Sequence, residues 1–97
     1  MNPSFRQLQL FLTLAERGSV TEAARVCGVT QPTASMQLKD LADTVGLPLF
    51  DVIGRRVHLT EAGKKLADTA RLMLGEWAGF TQEVDGMRGL TRGRLSV

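Results

Sequence analysis

The segment from Ser19 to Pro32 leaves the backbone few choices. Ser19-Val20-Thr21-Glu22 has the spacing of a capping box, in which each end residue can satisfy the other's backbone donor. The helix it starts is short, Ala23-Ala24-Arg25-Val26-Cys27, and Gly28 suits the left-handed position that ends a helix. Only Val29 separates Gly28 from the next cap, Thr30. Gln31-Pro32 then opens another helix with proline in its first turn, where a missing N–H costs nothing. That helix runs to about Val45, before Gly46. Two helices joined by so short a turn form a helix-turn-helix, and the paired Ala23 and Ala24 allow them to approach closely.

The flanking segments complete a small domain. Asn2 or Ser4 can cap an earlier helix with Pro3 in its first turn, and Phe5, Leu8, Phe11, Leu12 and Ala15 follow at helical spacing up to Gly18. Leu10 and Leu14 lie off that stripe and bury a second flank. Beyond Leu47-Pro48, the apolar runs Leu49–Ile53 and Val57–Leu59 bracket Gly54-Arg55-Arg56, the pattern of a β-hairpin with two arginines at its tip. Thr60 caps a long helix with Glu61 in its first turn. The predicted fold is mainly α: a winged helix-turn-helix of three helices and a two-stranded wing, followed by a long linker helix.

Within the long helix, Leu66, Ala70, Met73, Trp77, Phe80, Val84 and Met87 alternate in steps of four and three residues, a heptad seam. From Glu61 to Met87 the helix would be roughly 40 Å long at 1.5 Å per residue. Three short helices and a hairpin can cover its first turns only, so the rest of the seam predicts a homodimer paired through this helix. The chain therefore divides into a winged helix-turn-helix unit over 1–60, a dimerisation helix over 61–90, and residues 91–97. Gly89 and Gly93 should end the helix, and Arg94–Val97 reads as the start of a strand in a further domain.

Composition excludes more than it selects. Among 97 residues, Cys27 and His58 are each the sole member of their type, so neither an intrachain disulfide nor a zinc site can be assembled. No nucleophile, base or metal cluster can be put together, which speaks against an enzyme. No apolar run reaches membrane-spanning length and no signal-peptide pattern opens the chain, which predicts a cytoplasmic protein without a membrane partner. The net charge of +2 is too small to point to nucleic acid by itself. A helical dimer whose winged unit binds protein is the competing class.

The Gln31 helix carries the more specific signal. Placed on a wheel, Ala34, Leu38, Leu41 and Val45 form its core stripe, and Pro32, Thr33, Met36, Asp40 and Asp43 lie opposite, with Gln37 and Lys39 on the flanks. The leading half of the outer face has no acid, as a helix entering the major groove N-terminus first requires. Gln31 and Gln37 can each pair with an adenine edge, and Thr33 and Met36 can touch thymine methyls. Lys39, Ser35, Thr30 and Ser19 suit phosphates, although Ser19 and Thr30 serve equally well as caps alone. Arg55 and Arg56 can reach phosphate or the adjacent minor groove. Cys27 is a small core residue and His58 an exposed strand residue.

These residues carry a resemblance. Thr30-Gln31-Pro32-Thr33-Ala34-Ser35, Gly46-Leu47-Pro48-Leu49-Phe50 and Gly54-Arg55-Arg56-Val57-His58-Leu59-Thr60-Glu61-Ala62-Gly63 resemble the LysR-type transcriptional regulators. The resemblance implies double-stranded promoter DNA as partner, linker helices paired antiparallel, and a full-length tetramer. Any small-molecule inducer would then bind a C-terminal effector domain, and the DNA-reading unit itself takes no cofactor. Gln31, Pro32, Thr33, Ser35, Met36, Gln37 and Lys39 match the family's recognition helix, and Arg55 and Arg56 its wing. Met36 departs from the pattern, since many relatives carry Arg or Lys there. Ser35-Met36-Gln37 together with Gly46–Phe50 resembles the subgroup that controls carbon-fixation (RuBisCO) operons.

Overall fold

Ser4, rather than Asn2, opens the first helix, α1 (Phe5–Arg17), and Pro3 stands outside it. The cap is reciprocal: the Gln7 N–H donates to Ser4 Oγ at 3.1 Å, and the Ser4 N–H donates to Gln7 Oε1 at 3.0 Å. The computed structural model describes residues 2–96, with side chains as far as Gly89. Its order is α1, α2 (Val20–Cys27), α3 (Gln31–Val45), β1 (Phe50–Ile53), β2 (Arg56–Leu59) and α4 (Glu61–Ser96).

The α2 helix opens at Ser19, but only half of the expected box forms. The Glu22 N–H donates to Ser19 Oγ at 3.3 Å, while the Glu22 carboxylate accepts from Arg25 Nε and Nη2 at 2.8 and 3.2 Å. A guanidinium fork offers a charged, two-point partner that outcompetes a single neutral amide. The same pairing holds the Glu22 carboxyl below its ordinary pKa. At Gly28, φ is +70°, and its N–H donates to the carbonyl of Arg25, so the turn into α3 closes within two residues. Thr30 then caps α3 through the Thr33 N–H at 3.3 Å.

The core is built around α1, which touches α2, α3, α4 and β2. Leu8, Leu10, Phe11 and Leu14 of α1 meet Ala23 and Ala24 of α2, Ala34, Leu38 and Leu41 of α3, Leu49, and Ala67 and Ala70 of α4. Both flanks of α1 are thus buried, as Leu10 and Leu14 predicted. Two expectations need correction. Phe5 and Val45 remain about two-fifths exposed. A wheel assumes cover along the whole helix, whereas the helices that cover α3 stop short of its last turn. Leu49 also belongs to the core, not to the strand that starts after it.

The wing is a two-stranded antiparallel sheet pairing Phe50 with Leu59 and Ile53 with Arg56. The Val57 N–H fastens it to the body through the Gly18 carbonyl at 3.2 Å, and the Thr60 N–H closes its base on the Leu49 carbonyl at 3.1 Å. Thr60 adds two more bonds, donating from Oγ1 to the Pro48 carbonyl at 2.7 Å and accepting from the Gly63 N–H at 3.1 Å.

The α4 helix is longer than the sequence reading allowed. It passes Gly89 and reaches Ser96, so residues 94–96 are helical where a strand start was expected; Val97 lies outside the described residues. The reason is local. Gly18, Gly28 and Gly46 end their helices with positive φ, and Gly89 has no such turn. Glycine inside a helix costs about 1 kcal/mol against alanine but keeps both backbone hydrogen-bonding groups, so it weakens the ladder without cutting it. The resulting molecule is elongated, 59 × 24 × 21 Å.

Candidate nucleic-acid interface

The α3 helix buries one side and presents the other. Ala34, Leu38 and Leu41 are inaccessible, and Met36 on the opposite side is 60% exposed. Gln31, Pro32 and Ser35 share the exposed leading end with Met36, while Thr33 and Gln37 are half-buried at its edges. Thr33 Oγ1 accepts from Thr30 Oγ1 at 2.9 Å, which ties it to the cap and leaves its O–H and its methyl group for a ligand. The first turn has no acid. Asp40 and Asp43 lie exposed farther along the helix. The positive dipole end of this leading turn favours anions, and the trailing acids disfavour them.

The wing stands beside that face. Ser35, Leu38, Lys39 and Ala42 of α3, together with Val20, Pro48, Leu49, Phe50 and Val52, line a groove of about 370 Å³. Lys39 and Ser35 therefore border a channel whose far wall is β1. The wing tip is a two-residue turn, Gly54 with φ +58° and Arg55 with φ +66°, the primed geometry that matches the twist of a hairpin. Arg56 falls in β2 rather than in the turn, opposite Ile53. Among the described residues, neither Lys39, Arg55 nor Arg56 is in a salt bridge; the ion pairs are Arg25–Glu22 and Arg71–Asp68. Lys39 thus lies at the groove and Arg55 and Arg56 at the wing, all three exposed.

Arg55 is the one described non-glycine residue with positive φ. A left-handed L-residue costs roughly 1–2 kcal/mol, so glycine would suit this turn better than arginine. Arg55→Gly is accordingly expected to raise the thermal midpoint while weakening affinity for all duplex sequences alike, as loss of a backbone contact does. Thermal unfolding and fluorescence anisotropy on two unrelated duplexes check the pair of effects. A loss confined to one duplex would reassign Arg55 to base reading.

The predicted dimer seam divides into two parts. Ala70 is fully buried in its own domain and offers no surface to a second copy, while Leu66 packs partly against the same core and keeps only part of its side chain accessible. Met73, Trp77, Phe80 and Met87 are exposed, Trp77 and Phe80 by about half, and Val84 is half-buried. Phe5, which the sequence reading placed in the core, joins them: its ring meets Trp77 edge-on at 5.7 Å, and Trp77 meets Phe80 at 5.6 Å. These rings, with Met73 and Glu76, line a shallow apolar hollow of about 390 Å³. The signal for Phe5 was present, since it lies at the very end of its helix's stripe, where cover from neighbouring helices runs out.

Val52 and Ile53 were also missed as surface residues. Both are exposed beside the arginines, because the hairpin extends past the body that would cover them. Ser19 is half-buried and engaged as a cap. Cys27 is a free thiol, part-buried with Sγ 3.7 Å from Thr13 Oγ1. Among the described residues there is no group of three or more potential metal ligands, and no helix is long and apolar enough to cross a membrane.

Comparison with known proteins agrees with this geometry. Residues 5–64 match the family described as bacterial regulatory helix-turn-helix protein, lysR family. A RuBisCO operon transcriptional regulator of Acidithiobacillus ferrooxidans is 38% identical over 94 residues, covering 97% of this chain and 30% of that protein. The crystal structure of Vibrio fischeri DarR in complex with DNA superposes with a TM-score of 0.83 at 32% identity, over 93% of this chain and 31% of that one. The CbnR_DBD–DNA complex gives a TM-score of 0.76 at 32% identity, over 89% of this chain and 98% of the other. The chain thus spans about a third of the length of the full-length relatives it matches. With the helix-turn-helix, the wing and the start of the long helix all inside the matched span, the chain belongs to the LysR family of bacterial transcriptional regulators.

Proposed function

We propose that this chain reads double-stranded promoter DNA as a homodimer, with α3 in the major groove of each half-site and the wing at the adjacent minor groove or backbone. The observation that carries the reading is the exposed leading face of α3, free of acid and centred on Met36, opposite a fully buried stripe. Gln31, Pro32, Thr33, Met36 and Gln37 would meet base edges. Ser35, Lys39, Arg55 and Arg56 would meet the backbone, with Ser19 and Thr30 holding the helix ends that face it. The groove between α3 and β1 is where the strand between the two DNA grooves would pass, with Lys39 at its edge. The likeness to structures of two proteins solved with DNA supports this placement.

Met73, Trp77, Phe80, Val84 and Met87 would pair two copies and so fix the spacing of the half-sites. The names of the relatives point to RuBisCO operon promoters as the first sequences to test. The division into a reading unit over 1–60, a pairing helix beyond it and a longer regulator is part of the same proposal. So are a tetrameric whole protein, its cytoplasmic location, and an inducer held in an effector domain.

The test is selection of bound fragments from genomic DNA, followed by affinity measurements on the selected interrupted palindrome across a salt series. Affinity should fall steeply as salt rises. Met36→Ala and Gln31→Ala should each reduce discrimination against altered half-sites by about 1–3 kcal/mol, with little change on random duplex. Unchanged half-site preference in both variants would take base reading away from this face.

A further inference from the structure

Four glycines of α4, unlike Gly63 near its start, occupy positions where the fold does not require them. Gly75, Gly79, Gly86 and Gly89 are all exposed and have no positive φ, and a Cβ added at any of them would meet nothing within 4 Å. At about 100° per residue, these four lie within an arc of roughly 80°. Met73, Trp77, Phe80 and Val84 are centred on the opposite side of the helix. Among the described residues the domain core extends along α4 no farther than Leu74, and beyond it the ring of Trp77 touches Phe5 of α1. From Gly75 onward the helix therefore combines weak intrinsic propensity with little support from its own domain.

Each glycine lowers the helix equilibrium about four- to fivefold relative to alanine. Four of them lower it by a few hundredfold in a stretch with no buried face of its own. Most helical stability in proteins comes from packing of an apolar face, and short isolated helices are marginal in water even when rich in alanine. What can offset this is the seam on the opposite side, once a second copy covers it.

We infer that α4 beyond Leu74 is a conditional arm: helical when its seam is paired with a second copy, and frayed in the lone chain. The inference rests on the homodimer reading above. The glycines set the dependence of helix on pairing, and they sit where alanine could replace them without touching the seam. Order in the arm then reports dimerisation, and anything that loosens the pair also loosens the arm.

Hydrogen exchange of amides 76–89 in the 97-residue chain, above and below the dimer dissociation constant found by sedimentation, tests this. The wild-type chain should lose at least tenfold protection there on dilution, while amides of α1 and α3 keep theirs. The Gly75→Ala/Gly79→Ala/Gly86→Ala/Gly89→Ala variant should keep the arm protected at every concentration and dimerise at least a hundredfold more tightly. Equal protection in wild-type monomer and dimer would overturn the arm, because the helix would then stand alone. Weaker pairing of the alanine variant would also overturn it, showing that the glycines admit the close approach of another chain. A wild-type chain that stays monomeric at every concentration would remove the pairing reading, and the arm with it.

Discussion

Gly63→Ala is expected to destabilise the chain by about 3 kcal/mol or more, the upper range for overpacking. Helix propensity alone gives the opposite sign, since alanine is favoured over glycine by about 1 kcal/mol inside a helix. The structure decides between them. A Cβ at Gly63 would overlap the Leu49 carbonyl oxygen, stand 3.0 Å from its carbon and touch Leu59 Cβ at 3.4 Å. Two of these obstacles are backbone, and that same Leu49 carbonyl accepts the Thr60 N–H. Relief therefore requires the start of α4 to move off the base of the wing, which breaks that bond and disturbs Thr60's bonds to Pro48 and Gly63. Urea unfolding measures the loss. Gly75→Ala in the same helix, with open space around it, should stabilise slightly and serves as the control. A Gly63→Ala midpoint at or above wild type would mean that α4 does not start against the wing in this way.

Trp77→Ala is expected to leave the monomer folded and to weaken the dimer by about 4 kcal/mol, roughly a thousandfold, as for a central aromatic anchor. Trp77 lies outside the domain core, so within one chain the change removes little more than an edge-on ring contact worth about 0.5–1.5 kcal/mol. In the pair the loss occurs in both copies at once. Binding to an interrupted palindrome should then fall to the level of an isolated half-site, while half-site affinity stays near wild type. Sedimentation equilibrium and anisotropy on full and half sites separate the two. A Trp77→Ala dimer as tight as wild type would place the interface elsewhere. An equal loss on both DNAs would mean that Trp77 acts through the orientation of α1 instead.

The sequence was informative wherever structure is decided within one turn of chain. Thr30, Gly28 and Pro32 set the helix-turn-helix by local hydrogen bonding and φ preference, and the apolar spacing of α1 and α3 identified most of the core. It was less informative where two local partners compete or where the answer lies far away in the chain. Glu22 can reach the Ser19 amide or Arg25, and only charge strength favours the second. Ser4 and Gln7 formed the reciprocal cap that was expected at Ser19. Val45 and Phe5 sit on apolar stripes whose cover ends before they do. Gly63 looks like any helical glycine until Leu49, fourteen residues earlier, is brought against it. For the interface, the exposed face of α3 was readable because burial of its other face is periodic. The left-handed Arg55 and the wall that Val52 gives the groove depend on hairpin register, which short apolar runs do not specify.

One main-chain bond ties the wing to the body, Val57 to Gly18, and another, Thr60 to Leu49, closes the base of its stem. Neither bond requires a particular side chain from residues 52–56. Selection can therefore rewrite the tip without loosening its mounting, much as a tool holder accepts different bits. Sequence divergence should accumulate at such positions sooner than at Gly63 or Thr60. A tip transplanted from a relative should keep its posture on this chain.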